Sequence, residues 1–308
     1  MPVIVKDYLP AVEVLEKEGL FVITPTRSKK QDIRPLKIAL VNLMPTKSDT
    51  EIQFLRLLSN TPLQLEITLV HMESHLSKNT SQEYLKEFYK TVTEIKDEKF
   101  DGMIITGAPV ENLNFSDVDY WNELVELMEY TKSNVFSTLH VCWGAQAALF
   151  YHYGISKSKL EEKCFGVFPH KINPYNNLLL KGANDVIYMP HSRHSIWNQE
   201  EIEKNNKLSV LLKSLKSGIA MVSSYDARQI FISGHFEYDA DTLSKEYFRD
   251  LNKGLPINIP ENYFPNDNVL EKPSVLWRAD ANLLFSNWLN YVVYQKTPFD
   301  LNDLQVLF

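Results

Sequence analysis

Two rhythms of apolar and polar positions alternate along this chain. Nearly continuous apolar runs at residues 36–44, 65–71, 100–106 and 135–141 have the length and β-branched character of buried strands. Each is followed by a stretch with helical spacing, at 49–58, 82–95, 119–130 and 145–153. Strand then helix, repeated, predicts an α/β fold with a parallel sheet covered by helices on both faces. From Phe165 onward the β-runs crowd together, at 185–189, 208–212, 219–223 and 229–233, and read as hairpin-like additions to the same sheet system. Ser48-x-x-Glu51 ahead of Ile52, Phe54, Leu55 and Leu58 has the form of a capping box. Residues 1–35 read as an N-terminal arm, 36–296 as a single domain and 297–308 as a C-terminal tail. Four prolines between 254 and 273 predict a long irregular loop before a C-terminal helix at 282–295.

Composition narrows the picture modestly. A length of 308 residues is enough for a substantial core. A net charge of -7 argues against a nucleic-acid surface, which needs a basic patch to neutralise phosphates. It leaves room for a phosphate-bearing co-substrate met locally. The two cysteines, Cys142 and Cys164, make no disulfide framework and have no metal-ligand spacing, so we expect a reducing cytoplasm and no metal. Asp7, Glu13, Glu16 and Glu18 interrupt the first twenty residues, and no later run is long and apolar enough to span a bilayer. No membrane association is expected.

The chemistry gathers at Cys142. The run 135–141 is a strand, and Gly144 to Tyr153 is rich in helix formers and stops at Gly154, so Cys142 falls on the turn between them. At a helix N-terminus unpaired N–H groups and the positive dipole end favour a thiolate over a thiol that titrates near about 8.5 when unperturbed. The same groups hold a developing oxyanion, which makes the Trp143 amide the first candidate donor. Some ninety residues on, Gly234-His235-Phe236-Glu237 ends a second β-run. In an extended stretch residues 235 and 237 share a face, so the Glu237 carboxylate can fix the imidazole tautomer. Either motif alone reads more readily as a buried core cysteine or a structural histidine; together, in this order, they point to nucleophilic acyl transfer.

Cys-Trp-Gly-Ala-Gln followed by Gly-His-Phe-Glu resembles the class I glutamine amidotransferase fold, whose triad runs Cys, His, Glu. More closely, the chain resembles the homoserine O-acyltransferase family of bacterial methionine biosynthesis. That resemblance also rests on Asn42-Leu-Met-Pro-Thr-Lys47, Thr106-Gly-Ala-Pro-Val-Glu111, Pro190-His-Ser-Arg-His194 and Tyr263-Phe-Pro-Asn-Asp267. His140, where the amidotransferase elbow carries glycine, and the lack of an ammonia-accepting domain favour the acyltransferases.

The resemblance implies a flavodoxin-like three-layer core with additional strands and a C-terminal helical region. It implies L-homoserine and acyl-CoA as substrates, no bound cofactor, and leaves a homodimer open. Substrate roles fall on Lys163, Ser192 and Arg249, the planar fork of Arg249 suiting the homoserine carboxylate. Glu246, one helical turn before Arg249, is placed to hold the ammonium, although on spacing alone the pair reads more readily as a solvated i,i+3 ion pair. The Ala108 amide, on a loop after the third strand, is a second oxyanion donor by resemblance and merely part of a turn by sequence. Glu111 implies acetyl-CoA as the donor, since family members that use succinyl-CoA tend to have glycine there. The expected activity is acetyl transfer to homoserine through a cysteine thioester. A succinyl donor, a stand-alone glutaminase or thiol hydrolase, and a non-catalytic thiol sensor remain as alternatives.

Overall fold

The computed structural model describes residues 3–6, 9–18, 22–23, 34–75, 79–173 and 177–307. Most of the expected N-terminal arm between 19 and 33, with 1–2 and 7–8, lies outside the described residues, as does Phe308 of the expected tail. In chain order the elements begin β1 (Val3–Ile4), α1 (Pro10–Lys17), β2 (Val22–Ile23), β3 (Leu36–Val41), α2 (Lys47–Leu58) and β4 (Leu65–His71). There follow α3 (Gln82–Phe88), β5 (Tyr89–Thr91), α4 (Val92–Ile95), β6 (Phe100–Ile105), α5 (Trp121–Asn134), β7 (Val135–Val141) and α6 (Trp143–Tyr153). The remainder is β8 (Lys157–Ile172), β9 (Val186–Trp197), α7 (Gln199–Lys204), β10 (Leu208–Ser214), β11 (Gly218–Ser224), β12 (Gln229–Ile232), α8 (Thr242–Asn252) and α9 (Arg278–Asn287).

The strands form one mixed sheet in the order β2-β1-β4-β3-β6-β7-β12-β11-β10-β8-β9, with β5 beside β4. From β2 to β12 the pairings are parallel; from β12 to β9 they are antiparallel. Alternation along β3 shows how the layers divide. Ile38 and Leu40 join a core with Leu55 and Leu58 of α2 and Leu284 and Phe285 of α9, whereas Ala39 and Val41 face Leu124 and Leu127 of α5 and Ala148 of α6. Helices therefore cover both faces of the parallel half, as its continuous apolar strands require. A third cluster, Phe165, Val167, Leu243, Tyr247, Tyr263 and Trp277, fastens β8 to α8 and to the 254–273 loop. Each large side chain buried there contributes about 1.5–3 kcal/mol of transfer free energy.

Several local expectations are corrected. The Ser48–Glu51 capping box does not form: α2 has no side-chain N-cap bond, and Glu51 is fully buried, accepting from the hydroxyls of Tyr84 at 2.7 Å and Tyr89 at 2.5 Å. A true capping box sits instead at Thr91 and Glu94, starting α4. The single helix expected at 82–95 is broken into α3, β5 and α4, because Tyr89 is drawn into the core, where its hydroxyl also accepts from Asn42 at 3.0 Å. β8 extends N-terminally well beyond any apolar run, since its polar first half is held by pairing with β9 rather than by burial. β9 likewise continues through Pro190-His-Ser-Arg-His194. The C-terminal helix begins earlier than expected, at Arg278, and widens into π-helical turns at Trp288–Tyr294.

Candidate active site

β7 lies between β6 and β12, and Cys142 follows it directly, its amide donating to Ile232 O at 2.7 Å. The backbone of Cys142 has φ 49 and ψ -117, a conformation that residues with a Cβ rarely adopt. Its surroundings hold it there. The amides of Ala145 and Gln146 donate to Cys142 O at 3.0 and 3.1 Å. A Cβ at Gly144 would lie 2.5 Å from Thr106 O, so only glycine lets α6 start this close to the end of β6. Gly107 is nearer still to the chemistry: a Cβ there would be 3.1 Å from Cys142 Cβ and 3.7 Å from His235 Cε1. The segment Thr106-Gly107-Ala108 thus passes over the elbow. At the first position of α6 the Trp143 amide has no intrahelical acceptor and is free to bind an anion.

β12 delivers His235 to the same place. The His235 amide donates to Pro190 O at 2.8 Å, and a Cβ at Gly234 would lie 2.6 Å from that same carbonyl oxygen, so this approach of the chain after β12 to β9 needs glycine. His235 Nδ1 and Glu237 Oε1 are 2.6 Å apart, and the imidazole also hydrogen-bonds with the Cys142 side chain. Cys142, His235 and Glu237 are all buried. Burial disfavours the imidazolium, but the Glu237 carboxylate and the Cys142 sulfur together outweigh it and hold the His235 pKa well above the usual histidine range. The Tyr238 ring lies flat against the imidazole, centroids 4.1 Å apart and planes 10° apart.

Lys163, Ser192, Glu246 and Arg249, scattered across β8, β9 and α8, converge on one charged cluster. Glu246 Oε1 accepts from Lys163 Nζ at 2.7 Å, and both its oxygens accept from Ser192 Oγ at 2.9 Å. Arg249 Nε donates to Asp250 Oδ1 at 2.7 Å and its Nη2 to Glu246 Oε1 at 3.5 Å, and its side chain is 54% exposed. Lys163 stands 4.3 Å over the ring of Phe165, itself anchored in the β8–α8 cluster. β9 joins this cluster to the triad side, Ser192 lying two residues beyond the Pro190 carbonyl that holds His235.

Glu111 is not an exposed loop residue. Its Oε2 accepts from the His194 amide at 2.9 Å and Ser195 Oγ at 3.3 Å, and its carbonyl accepts from Lys157 Nζ at 2.7 Å. Ser195 Oγ also contacts Gln146 Oε1 at 3.0 Å, linking Glu111 to the helix that follows Cys142. Sequence reasoning missed four neighbours of the site: Gln146, Ser195, Tyr238 and Asp250. Tyr238, Asp250 and Ser195 adjoin residues or motifs that had been singled out and Gln146 ends the Cys-Trp-Gly-Ala-Gln motif, so adjacency was the available signal; that Gln146 and Ser195 meet is decided only in space. Among the described residues no group of His, Cys, Asp or Glu side chains has the makings of a metal site, and no helix is long and apolar enough to cross a membrane.

Known proteins resemble this arrangement at two levels. A family model described as homoserine O-succinyltransferase matches residues 2–299. A homoserine O-acetyltransferase of Acetivibrio thermocellus is 55% identical over 305 residues, covering 99% of this chain and 100% of that protein. One of Brevibacillus brevis is 55% identical over 303 residues, 98% of this chain and 99% of its own length. Among solved structures, a glutamine amidotransferase from Thermotoga maritima superposes with a TM-score of 0.54 at 10% identity, covering 85% of this chain and all of that one. Another, from Methylobacillus flagellatus, gives 0.52 at 13% identity, covering 85% and 96%. At such identities the structural likeness establishes the fold alone.

Proposed function

The chain belongs to the homoserine O-succinyltransferase family, and from that membership we propose that it transfers an acetyl group from acetyl-CoA to the hydroxyl of L-homoserine. The observation that carries the proposal is the strained Cys142 elbow facing the His235–Glu237 pair. Residues 36–296 act as one acyltransferase domain, to whose sheet β1 and β2 of the N-terminal arm add two parallel strands.

His235 begins as imidazolium, its proton held by Glu237 and Cys142. The Cys142 sulfur attacks the thioester carbonyl, coenzyme A leaves with the His235 proton, and an acyl-cysteine thioester remains. The Trp143 and Ala108 amides hold the oxyanion. Neutral His235 then takes the proton of the homoserine hydroxyl as that oxygen attacks the thioester, and Cys142 departs as thiolate. Water competes for the acyl-enzyme, so homoserine must be oriented by its charged ends. Arg249 takes its carboxylate; Glu246, steered by Lys163 and Ser192, takes its ammonium.

Glu111 supports acetyl over succinyl, because its carboxylate is held in place on β9 and opposes a second carboxylate. Intact-mass measurement after mixing the protein with acetyl-CoA, without homoserine, tests the proposal: one acetyl adduct is expected on Cys142. Cys142→Ala should abolish adduct and turnover while Cys164→Ala retains both. An adduct mapped to Cys164, or kept in the Cys142 variant, refutes it.

A further inference from the structure

Tyr238 stands at the meeting point of all three parts of the site, and no role described above accounts for it. Its ring stacks on His235 with centroids 4.1 Å apart and planes within 10°. A neighbour that close and parallel blocks rotation of the imidazole out of its plane. The Tyr238 backbone is fixed from behind, its carbonyl accepting from the indole Nε1 of buried Trp277 at 3.1 Å. The side chain is half-buried, and among the described residues its hydroxyl has no hydrogen-bond partner. After burial, the groups that most oppose its ionisation are Glu246, Glu237, Cys142 and Glu111, which keep the phenol protonated well above its usual range. Those groups are the charged cluster, the triad and the donor side. The hydroxyl is therefore a standing donor, unclaimed by protein, in the field of Glu246, Glu237, Cys142 and Glu111.

We propose that Tyr238 is a positioning residue with two separable parts: its ring holds the His235 imidazole in plane, and its hydroxyl donates to the oxygen of the acceptor alcohol. An alcohol oxygen so bound gives its own proton to His235 Nε2 and keeps one lone pair directed at the acyl carbon. Water has no charged ends to bring it into that donor's reach in the right orientation, so the contact favours transfer over hydrolysis. The inference rests on the acyltransferase proposal above.

The experiment compares Tyr238→Phe and Tyr238→Leu with the unmodified protein. Three readouts are needed: acyl-enzyme formation from acetyl-CoA alone as a function of pH, homoserine saturation, and the partition of acyl-enzyme between homoserine and water. An unmodified protein that forms no acyl-enzyme overturns the acyltransferase proposal and this inference together. Tyr238→Phe should acylate within about twofold of the unmodified rate but lose about tenfold in kcat/KM for homoserine, with hydrolysis rising in proportion. Unchanged saturation and partition would overturn the hydroxyl's role. Tyr238→Leu should acylate at least about tenfold more slowly with a displaced pH profile, and acylation at the unmodified rate and profile would overturn the ring's role. Tyr238→Phe preserves shape, so if the leucine variant does not fold, a loss of acylation in the phenylalanine variant overturns the division between ring and hydroxyl.

Discussion

The carboxylate of Glu111 is tied to the backbone of His194: Oε2 accepts from the amide at 2.9 Å, with Ser195 Oγ beside it at 3.3 Å. A carboxylate held in that way cannot swing aside for a second one. Two like charges about 4 Å apart at an effective dielectric near 20 repel by roughly 4 kcal/mol, an upper-range value that still means several hundredfold discrimination. Glu111→Gly should admit succinyl-CoA and lower the acetyl preference, helped by the His194 amide and Ser195 hydroxyl, which lose their acceptor and can receive the succinyl carboxylate. Glu111→Gln, which removes charge and keeps bulk, should fall between. Acyl-enzyme rates with the two donors at equal concentration decide it; an unmodified protein faster with succinyl-CoA, or a glycine variant with an unchanged ratio, contradicts the assignment.

Removing the partner of His235 should change pH dependence in a definite direction. Glu237 raises the His235 pKa against the opposing effect of burial. In Glu237→Gln burial prevails, the imidazole is neutral at neutral pH, and the proton that assists departure of coenzyme A is missing. Acylation should drop by about 10²–10⁴-fold. The stability term has the matching sign: a raised histidine pKa stabilises fully below about pH 6.5 and ceases to as pH rises through the folded value, so the variant loses stability on the acid side of that window. Alkylation by iodoacetamide in a Cys164→Ala background, followed from pH 5 to 9, should need higher pH in the variant. Superimposable profiles would remove Glu237 from the site.

Two glycines near the elbow should separate function from stability. Gly107→Ala places a methyl 3.1 Å from Cys142 Cβ, displacing the Ala108 amide, and should slow acylation by about 10²-fold with little change in Tm. Gly144→Ala places one 2.5 Å from the Thr106 carbonyl, backbone that cannot rotate away, and should cost about 1–3 kcal/mol in denaturant unfolding. The reverse pattern would mean that the loop after β6 does not border the reacting atoms.

Acid should unfold this protein through its buried histidines. Burial holds His140 and His191 well below the usual histidine range and brings His152 and His170 down to about 4. Each is neutral when folded and gains a proton on unfolding, so the unfolded state binds more protons as pH falls from about 6.5 toward about 4. Stability should decline across that window by up to about 1.4 kcal/mol per pH unit for each. His140 stacks on Phe231 at 5.1 Å and has no partner for either ring nitrogen among the described residues, so His140→Leu should flatten the slope in urea unfolding between pH 7 and 5.

The sequence by itself determined the alternation of strand and helix around the sheet's parallel half, and with it the placing of Cys142 at a strand-to-helix turn. Period and propensity are local properties, and β3, β4, β6 and β7 are buried on both faces, so their apolar runs are unmistakable. His235 and Glu237 were legible as a pair from their spacing, but for a reason the structure corrects: β12 stops at Ile232 and the chain turns at Phe236 and Glu237, so that turn, not strand alternation, brings the carboxylate to the imidazole. What depends on partners distant in the chain was decided only by tertiary structure. Glu51 left its helix cap for the hydroxyls of Tyr84 and Tyr89, and β8 became a strand despite its lysines and glutamates because β9 pairs with it. The positive φ of Cys142, the Glu246 cluster drawn from three elements, and the clasp of β9 on Glu111 arise where separate segments meet. No window of sequence contains both sides of such a contact.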